Sequence, residues 1–369
     1  MRVALVHDHL AQDGGAELVL RVLQELYPDA PTFTLVYDER HANPAFRGKD
    51  IRTSFLQSLP LGRRKYQWFL SLMPIAVESY DVMDYDVVIS STASFAKGVI
   101  TRPDTLHLCY CHTPTRYLWS DTHSYLQEFP TNRVIKSILP LFLSRIRQWD
   151  RLAADRVDTF VANSKPVQRR IAKYYRRDST VIYPPVDTSR FAIASHPESY
   201  YLMGGRLVPY KRFDLSIRAF NKLGIPLKIF GVGPEYTFLK NLAAKNVELL
   251  GKVSEEDRAT LYARAVGFIN PQEEDFGITA IESMASGRPV IAYGRGGALE
   301  TVIEGVTGTF FHQPTWESLA DAIIRFQPER FSPPAIREHA LRFDTQRFQE
   351  RFQSFVSTTW ESFRKDHDL

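Results

Sequence analysis

Asn270-Pro271-Gln272-Glu273-Glu274-Asp275-Phe276-Gly277-Ile278-Thr279-Ala280-Ile281-Glu282-Ser283-Met284-Ala285-Ser286-Gly287-Arg288-Pro289-Val290 is the stretch on which the fold turns. The apolar run at 266–270 reads as a buried strand ending near Asn270, and a polar loop carrying Glu274 follows it. A helix starting around Gly277 and a second apolar run at 289–293 complete a strand, loop, helix, strand unit of Rossmann type. Backbone N–H groups at Phe276, Gly277 and Ile278 would stand at the positive end of that helix, a place suited to phosphate. Glu282 falls in the second helical turn, where a carboxylate can accept hydrogen bonds from vicinal hydroxyls, as acidic residues do for ribose. Glu274, one turn nearer the loop, is placed to meet a sugar carried on the phosphate.

Outward from this unit the same alternation runs along the chain. Toward the N-terminus, strands are expected at 3–7, 32–37, 87–91, 105–110, 159–162 and 180–182. A helix at 18–26 follows the turn Asp13-Gly14-Gly15-Ala16-Glu17. At Tyr183-Pro184-Pro185-Val186-Asp187 the pattern stops, because two prolines forbid both helix and central strand, and 192–199 is polar and unpatterned. It resumes with strands at 200–204, 227–230 and 247–249 and a helix at 212–223. Two α/β halves, each with a glycine turn near its start, imply two doubly wound domains facing across a cleft. The expected boundaries are 1–190 for the first domain and 191–344 for the second, with an amphipathic helix at about 345–369 crossing back to the first.

The length of 369 residues agrees with two domains, and an apolar share of 44% suffices for two cores. A net charge of +4 suits anionic ligands or an anionic membrane surface and falls short of the clustered basicity of a nucleic-acid binder. Cys109 and Cys111 share a strand with His107, in a row on one face, which is a poor arrangement for tetrahedral ligation. Two reduced, half-buried thiols and no metal are therefore expected. Asp84-Tyr85-Asp86 imitates a metal-binding acidic pair, but reads as a turn leading into the strand at 87–91. No apolar stretch reaches the roughly 18 to 20 residues needed to span a bilayer, and His7-Asp8-His9 interrupts any secretory apolar region. A cytoplasmic protein is expected.

A second motif, Gly204-Gly205-Arg206-Leu207-Val208-Pro209-Tyr210-Lys211-Arg212-Phe213-Asp214, sits after a strand and before a helix. An arginine and a lysine five residues apart on such a loop can reach one diphosphate; taken alone, they could equally be two cations on a solvated loop. Together with two glutamates separated by seven residues, in the frame Glu-x-Phe-Gly…Glu-x-Met-Ala-x-Gly-x-Pro-Val, the motif resembles retaining glycosyltransferase family 4, of the GT-B fold. The likeness extends to bacterial mannosyltransferases of polysaccharide assembly. Asp275 stands where that family most often has glycine.

The resemblance implies that Arg206 and Lys211 neutralise the departing nucleotide, that Glu274 holds the donor sugar and that Glu282 holds the ribose. It matches Gly14 and Gly15 to the first-domain glycine loop, and implies that His112 faces the donor sugar. His112, Arg206, Lys211 and Glu274 are thus the catalytic candidates, and Gly14, Gly15, Gly205, Phe276, Gly277, Ile278 and Glu282 the donor-binding ones. Transfer with retention and without a metal is implied, with the nucleotide sugar as co-substrate, no cofactor, and GDP-mannose favoured over a UDP-sugar. The acceptor implied is a glycan or a polyprenyl-diphosphate-linked glycan, to which Arg116, Tyr117 and Trp119 either contribute contacts or merely fill core. Arg63-Arg64-Lys65-Tyr66-Gln67-Trp68-Phe69-Leu70 and the stretch Arg133 to Leu143, with Arg145 and Arg147, either dock to an anionic leaflet or pack inward. A nucleotide-sugar epimerase of GT-B fold and an inactive sugar-binding scaffold are the alternatives. A nicotinamide dehydrogenase is disfavoured, because no strand here is followed by a clean Gly-x-Gly-x-x-Gly with a downstream acidic residue.

Overall fold

The computed structural model describes residues 1–120, 122 and 133–368. The chain forms two compact units, unit 1 comprising Met1–Tyr183 with Phe348–Leu369 and unit 2 comprising Pro184–Arg347. The division thus falls at the double proline.

Unit 1 contains strands β1 (Val3–His7), β2 (Thr32–Thr34), β3 (Ile51–Thr53), β4 (Val87–Thr92), β5 (Leu106–Cys111), β6 (Thr159–Ala162) and β7 (Ser179–Val181). They form a seven-stranded sheet in the order β3-β2-β1-β4-β5-β6-β7, parallel throughout. Among its helices are α1 (Gly15–Leu26), α2 (Met73–Glu78), α3 (Arg133–Asp155) and α4 (Lys165–Arg170). A parallel sheet needs cover on both faces, so its strands read as unbroken apolar runs. Val3 and Leu5 accordingly pack with Leu20, Leu23 and Ile89, while Ala4 and Val6 pack with Val77, Val88 and Phe95.

Unit 2 contains β8 (Tyr201–Gly204), β9 (Leu227–Phe230), β10 (Val247–Gly251), β11 (Phe268–Asn270), β12 (Val290–Tyr293) and β13 (Gly308–Phe311), again all parallel, in the order β10-β9-β8-β11-β12-β13. Its helices are α5 (Phe213–Leu223), α6 (Tyr236–Leu242), α7 (Glu255–Arg264), α8 (Ile278–Ala285), α9 (Ala298–Thr301), α10 (Trp316–Arg325) and α11 (Pro333–Ala340). Phe213, Ile217 and Phe220 of α5 and Leu319 and Ile323 of α10 bury the sheet residues Met203, Ile229, Ile269 and Ile291. Both units are doubly wound, as the apolar alternation requires. In each sheet the strand order reverses once, between β1 and β4 and between β8 and β11. Ligands of such sheets bind outside the carboxyl ends of the strands at that reversal.

Three details depart from the sequence-based expectation. β3 and β13 were not anticipated, since three or four residues at a sheet edge carry too little alternation to stand out. α1 begins at Gly15 rather than at 18, because extended Gly14 caps it and Glu17 turns inward. The strand expected at 32–37 ends at Thr34.

The last helix, α12 (Thr345–Asp366), presents Phe348, Phe352, Val356 and Phe363 to the core of unit 1. Phe348 and Phe352 stack at 5.4 Å between centroids, and Tyr110 meets Phe348 edge-on at 5.8 Å. Phe352 is fully buried, so Phe352→Ala should destabilise the protein by about 3–5 kcal/mol. Exposed Gln353→Ala should stay within about 0.5 kcal/mol. Urea unfolding of both variants checks whether the helix braces the core or merely lies on it.

Candidate functional site

At the carboxyl end of β8 the chain enters Gly204-Gly205-Arg206, and the loops after β8 and β9 lie backbone against backbone. Gly231 adopts φ 133°, and a Cβ there would overlap the carbonyl oxygen of Gly205, which itself has φ 133°. Past this contact Arg206 is exposed, and a turn at Pro209–Lys211 ends in left-handed Arg212 (φ 53°) before α5 begins. The turn aims Lys211 at the neighbouring strand's loop, where its Nζ pairs with Glu274 Oε1. Both side chains are largely buried, 13% and 12% exposed.

Glu274 is held by its backbone. Gly297 N–H donates to the Glu274 carbonyl at 2.7 Å, and a Cβ at Gly296 or Gly297 would overlap the 274–276 backbone. The loop Tyr293-Gly294-Arg295-Gly296-Gly297 is thus a clamp on the Glu274 loop. Gly277 (φ 95°) caps α8 at the position expected for the helix start. Asp275 is not among the described residues with positive φ, so aspartate in place of the family's glycine needs no strained backbone. Phe276 turns its ring inward onto Phe343 at 5.4 Å, leaving only its backbone to serve a ligand.

Glu282 is buried in α8. It accepts a hydrogen bond from the Tyr262 hydroxyl at 2.9 Å and lies 3.5 Å from Arg258 Nη2. Burial raises its pKa above the ordinary value, with Arg258 and Tyr262 opposing. The β8/β11 reversal therefore brings Lys211 and Glu274 together, with Gly205 and Arg206 on the Lys211 loop and Glu282 farther along the helix that follows the Glu274 loop.

In unit 1 the β1/β4 reversal collects a polar group that sequence reasoning missed. Asp8, just past β1, is buried and accepts hydrogen bonds from the N–H groups of Ala93, Ser94, Phe95 and Ala96 at 2.6–2.9 Å and from Thr92 Oγ1 at 3.0 Å. Burial raises its pKa, but His7 and the backbone N–H donors outweigh that and hold the carboxyl below its ordinary value. His112 Nε2 lies 2.8 Å from Ser91 Oγ, and Ser91 Oγ lies 3.2 Å from His7 Nδ1. Burial, with His7 adding, pushes the His112 pKa down to about 4. Gly14 sits over Glu17, for a Cβ there would lie 3.0 Å from Glu17 Oε2, while neighbouring Gly15 is exposed and opens α1. The signal for this group was the polar run Ser90-Ser91-Thr92 closing an otherwise apolar strand, facing His7-Asp8-His9.

The other candidates fall elsewhere. Trp119 stacks on Tyr174 at 5.0 Å and donates its indole N–H to Asp150 at 2.8 Å; Tyr117 packs against the core and Arg116 is half-buried. Cys109 and Cys111 are free and fully buried, not half-buried, and burial pushes the Cys111 thiol up, with Cys109 adding. Tyr66, Phe69 and Leu70 pack inward, whereas Arg63, Arg64, Lys65 and Trp68 are exposed, Lys65 Nζ lying 5.8 Å over the Trp68 ring. The Arg133 and Lys136 side chains lie outside the described residues. Asp86 accepts from the Arg2 N–H at 2.6 Å at the start of β4. Among the described residues no helix is long and apolar enough to cross a membrane.

Residues 13–190 match the model described as Glycosyltransferase Family 4, and residues 186–341 that described as Glycosyl transferases group 1. The alpha-1,3/1,6-mannosyltransferase ALG2 of Candida glabrata is 24% identical over 367 residues, covering 82% of this chain and 78% of that protein. A GDP-mannose-dependent alpha-(1-6)-phosphatidylinositol monomannoside mannosyltransferase of Mycobacterium tuberculosis is 29% identical over 226 residues, 53% of this chain and 58% of that protein. The chain spans about half the length of several curated relatives it matches. In fold it is similar to Anabaena HepE, crystallised with UDP, at TM-score 0.72 and 19% identity over 97% of this chain and 100% of that one. Two parallel-sheet units, the paired glutamate frame and two family models that together run from residue 13 to residue 341 lead to one assignment: the chain belongs to glycosyltransferase family 4, with the GT-B fold.

Proposed function

We propose that the chain transfers a hexose, with mannose from GDP-mannose the favoured donor, from a nucleoside diphosphate sugar to a glycan or polyprenyl-diphosphate-linked acceptor. Anomeric configuration would be retained and no metal required. The observation that carries this is the Lys211–Glu274 ion pair at the carboxyl edge of unit 2, directly before α8. Breaking an anomeric C–O bond develops negative charge on the leaving phosphate, and fixed cations and backbone dipoles stabilise it most effectively when already in place. Lys211 is such a cation, with Arg206 on the same loop and the backbone of Phe276, Gly277 and Ile278 at the head of α8. Donor phosphate would take over Lys211, freeing Glu274 for the sugar hydroxyls while Glu282 receives the ribose. In unit 2, Gly205 leaves the backbone open to the donor; for unit 1, the family resemblance implies a donor contact at the Gly14–Gly15 turn and a sugar-facing role for His112.

Mannose as the sugar and guanine as the base draw support from the mannosyltransferase relatives; HepE, crystallised with UDP, makes the uridine donors the necessary comparison. In a thermal-shift panel of GDP-, UDP- and ADP-sugars, GDP-mannose should shift the midpoint most. A ligand at a hundred times its Kd adds about 2.7 kcal/mol. A larger shift with a UDP-sugar would reassign the base, and silence from every nucleotide would remove the donor site.

Lys211→Ala should lower turnover about a hundredfold, equivalent to roughly 3 kcal/mol, whereas Asp86→Ala, at the entry to β4 in unit 1, should leave it nearly unchanged. EDTA should not affect the rate in the same assay; a loss restored by added divalent cation would overturn the metal-free mechanism.

The exposed Arg63, Arg64, Lys65 and Trp68, with Leu61 55% and Ile75 58% exposed on the same segment, favour docking to an anionic membrane surface. The protein should sediment with phosphatidylserine vesicles at low salt and release at high salt. Failure to bind at either salt would exclude membrane docking.

A further inference from the structure

His112 does not stand alone in unit 1. Its Nε2 is engaged by Ser91 Oγ at 2.8 Å, Ser91 Oγ is engaged by His7 Nδ1 at 3.2 Å, and His7 Nε2 faces Glu17 Oε1 at 4.0 Å. Strand register builds the middle of this row, because His7 and Ser91 are direct partners across β1 and β4. Glu17 reaches it from the first turn of α1, beneath Gly14, and is itself bonded by Gln12 Nε2 at 3.1 Å. His7, Glu17 and Ser91 are each 2% exposed or less, so the row is shielded from bulk water. The other carboxylate near His7, Asp8, is committed to its backbone donors and Thr92, which leaves Glu17 to orient His7.

We propose that Glu17, His7 and Ser91 form a buried relay that fixes the proton of His112 on Nε2 and leaves Nδ1 as a bare acceptor for a donor-sugar hydroxyl. The logic follows from hydrogen-bond valence. The Glu17 carboxylate, 4.0 Å from His7 Nε2 and beyond hydrogen-bond reach, acts on His7 through its charge alone, favouring the proton of a neutral imidazole on Nε2 and leaving His7 Nδ1 as an acceptor. Ser91 has one hydroxyl proton and gives it to His7 Nδ1. Its lone pair must then be met by a proton on His112 Nε2, and Nδ1 keeps its lone pair. Burial, with His7 adding, pushes His112 down to about 4, so a neutral ring is the form the relay orients near neutral pH. No bond is broken in this arrangement; Glu17, His7 and Ser91 are positioning residues, and the sugar contact of His112 rests on the reading given under Proposed function.

The fold supplies its own control. Ser90 Oγ makes a fully buried bond to His107 Nε2, 2.9 Å long, one residue along β4, where alternation turns the side chain to the opposite face. In full-length protein labelled with ¹⁵N in its histidine rings, the His112 signals, identified by their loss in His112→Gln, should report a proton on Nε2. Ser91→Ala should abolish that preference and lower kcat roughly tenfold or more, with a smaller change in donor KM. Ser90→Ala should leave the His112 tautomer and kcat as they are. Glu17→Gln, which keeps the side-chain volume, should mix the two His112 tautomers. The relay is overturned if wild-type His112 carries its proton on Nδ1, if Ser91→Ala changes neither tautomer nor kcat, or if Ser90→Ala matches it. A wild-type protein that transfers no sugar from any nucleotide donor would sink the functional reading instead, and the ring nitrogen signals would still decide the relay.

Discussion

A parallel sheet covered on both faces leaves its polar chemistry one outlet, the carboxyl edge of the strands, and each unit is organised around that constraint. Val3 to Val6 of β1 are buried without a polar side chain among them, and polarity begins at His7 and Asp8, where the strand ends. β4 changes in the same way from Val87-Val88-Ile89 to Ser90-Ser91-Thr92. In unit 2, β8 and β11 end at Gly204 and Asn270, and the loops beyond them carry Arg206, Lys211 and Glu274. The single reversal of strand order in each sheet parts the chain connections at that edge, which is why the polar groups converge there.

The two units hold their buried charge differently, and the difference bears on what each can do. Asp8 is neutralised by a ring of backbone N–H groups, which are fixed by the turn after β4 and cannot be re-aimed. Such a carboxylate anchors one loop to another. Lys211 and Glu274 neutralise each other through side chains on separate loops. Removing one partner of a buried pair strands the other at a cost of about 3–5 kcal/mol, whereas under the proposed function donor phosphate would replace Glu274 without leaving Lys211 bare. The ion pair is thus a charge arrangement that can be exchanged, whereas the Asp8 ring is one that cannot.

Glycine serves the same end by letting backbone approach backbone. Gly231 lies on the Gly205 carbonyl, and Gly296 and Gly297 lie on the Glu274–Phe276 backbone. In both places a Cβ would force apart two loops whose spacing sets where Lys211 and Glu274 meet. Tight packing of this kind tolerates no added methyl group without displacement of the neighbour.

Much of this was legible from residue order alone. Apolar runs alternating with helical periodicity located nearly every strand, and the double proline at 184–185 located the division of the chain, because those signals are local: burial on two faces demands unbroken apolar runs, and proline cannot continue a ladder. The glutamate frame and the Arg206–Lys211 spacing likewise lie within single loops. What the linear chain left undetermined depends on elements far apart in sequence. The edge strands Ile51–Thr53 and Gly308–Phe311 exist because a neighbouring strand supplies their hydrogen bonds. The Asp8 ring joins residues 8 and 92–96, and the row from Glu17 to His112 joins α1, β1, β4 and the loop after β5. Trp119, for which the sequence left acceptor contact and core filling both open, stacks on Tyr174 and donates to Asp150. Residue order determined which segments become strands and helices and which short motifs can carry charge. Only the tertiary structure decided which of those charges face each other, because a strand's partner and a side chain's counter-ion are set by register and burial between segments that sequence places apart.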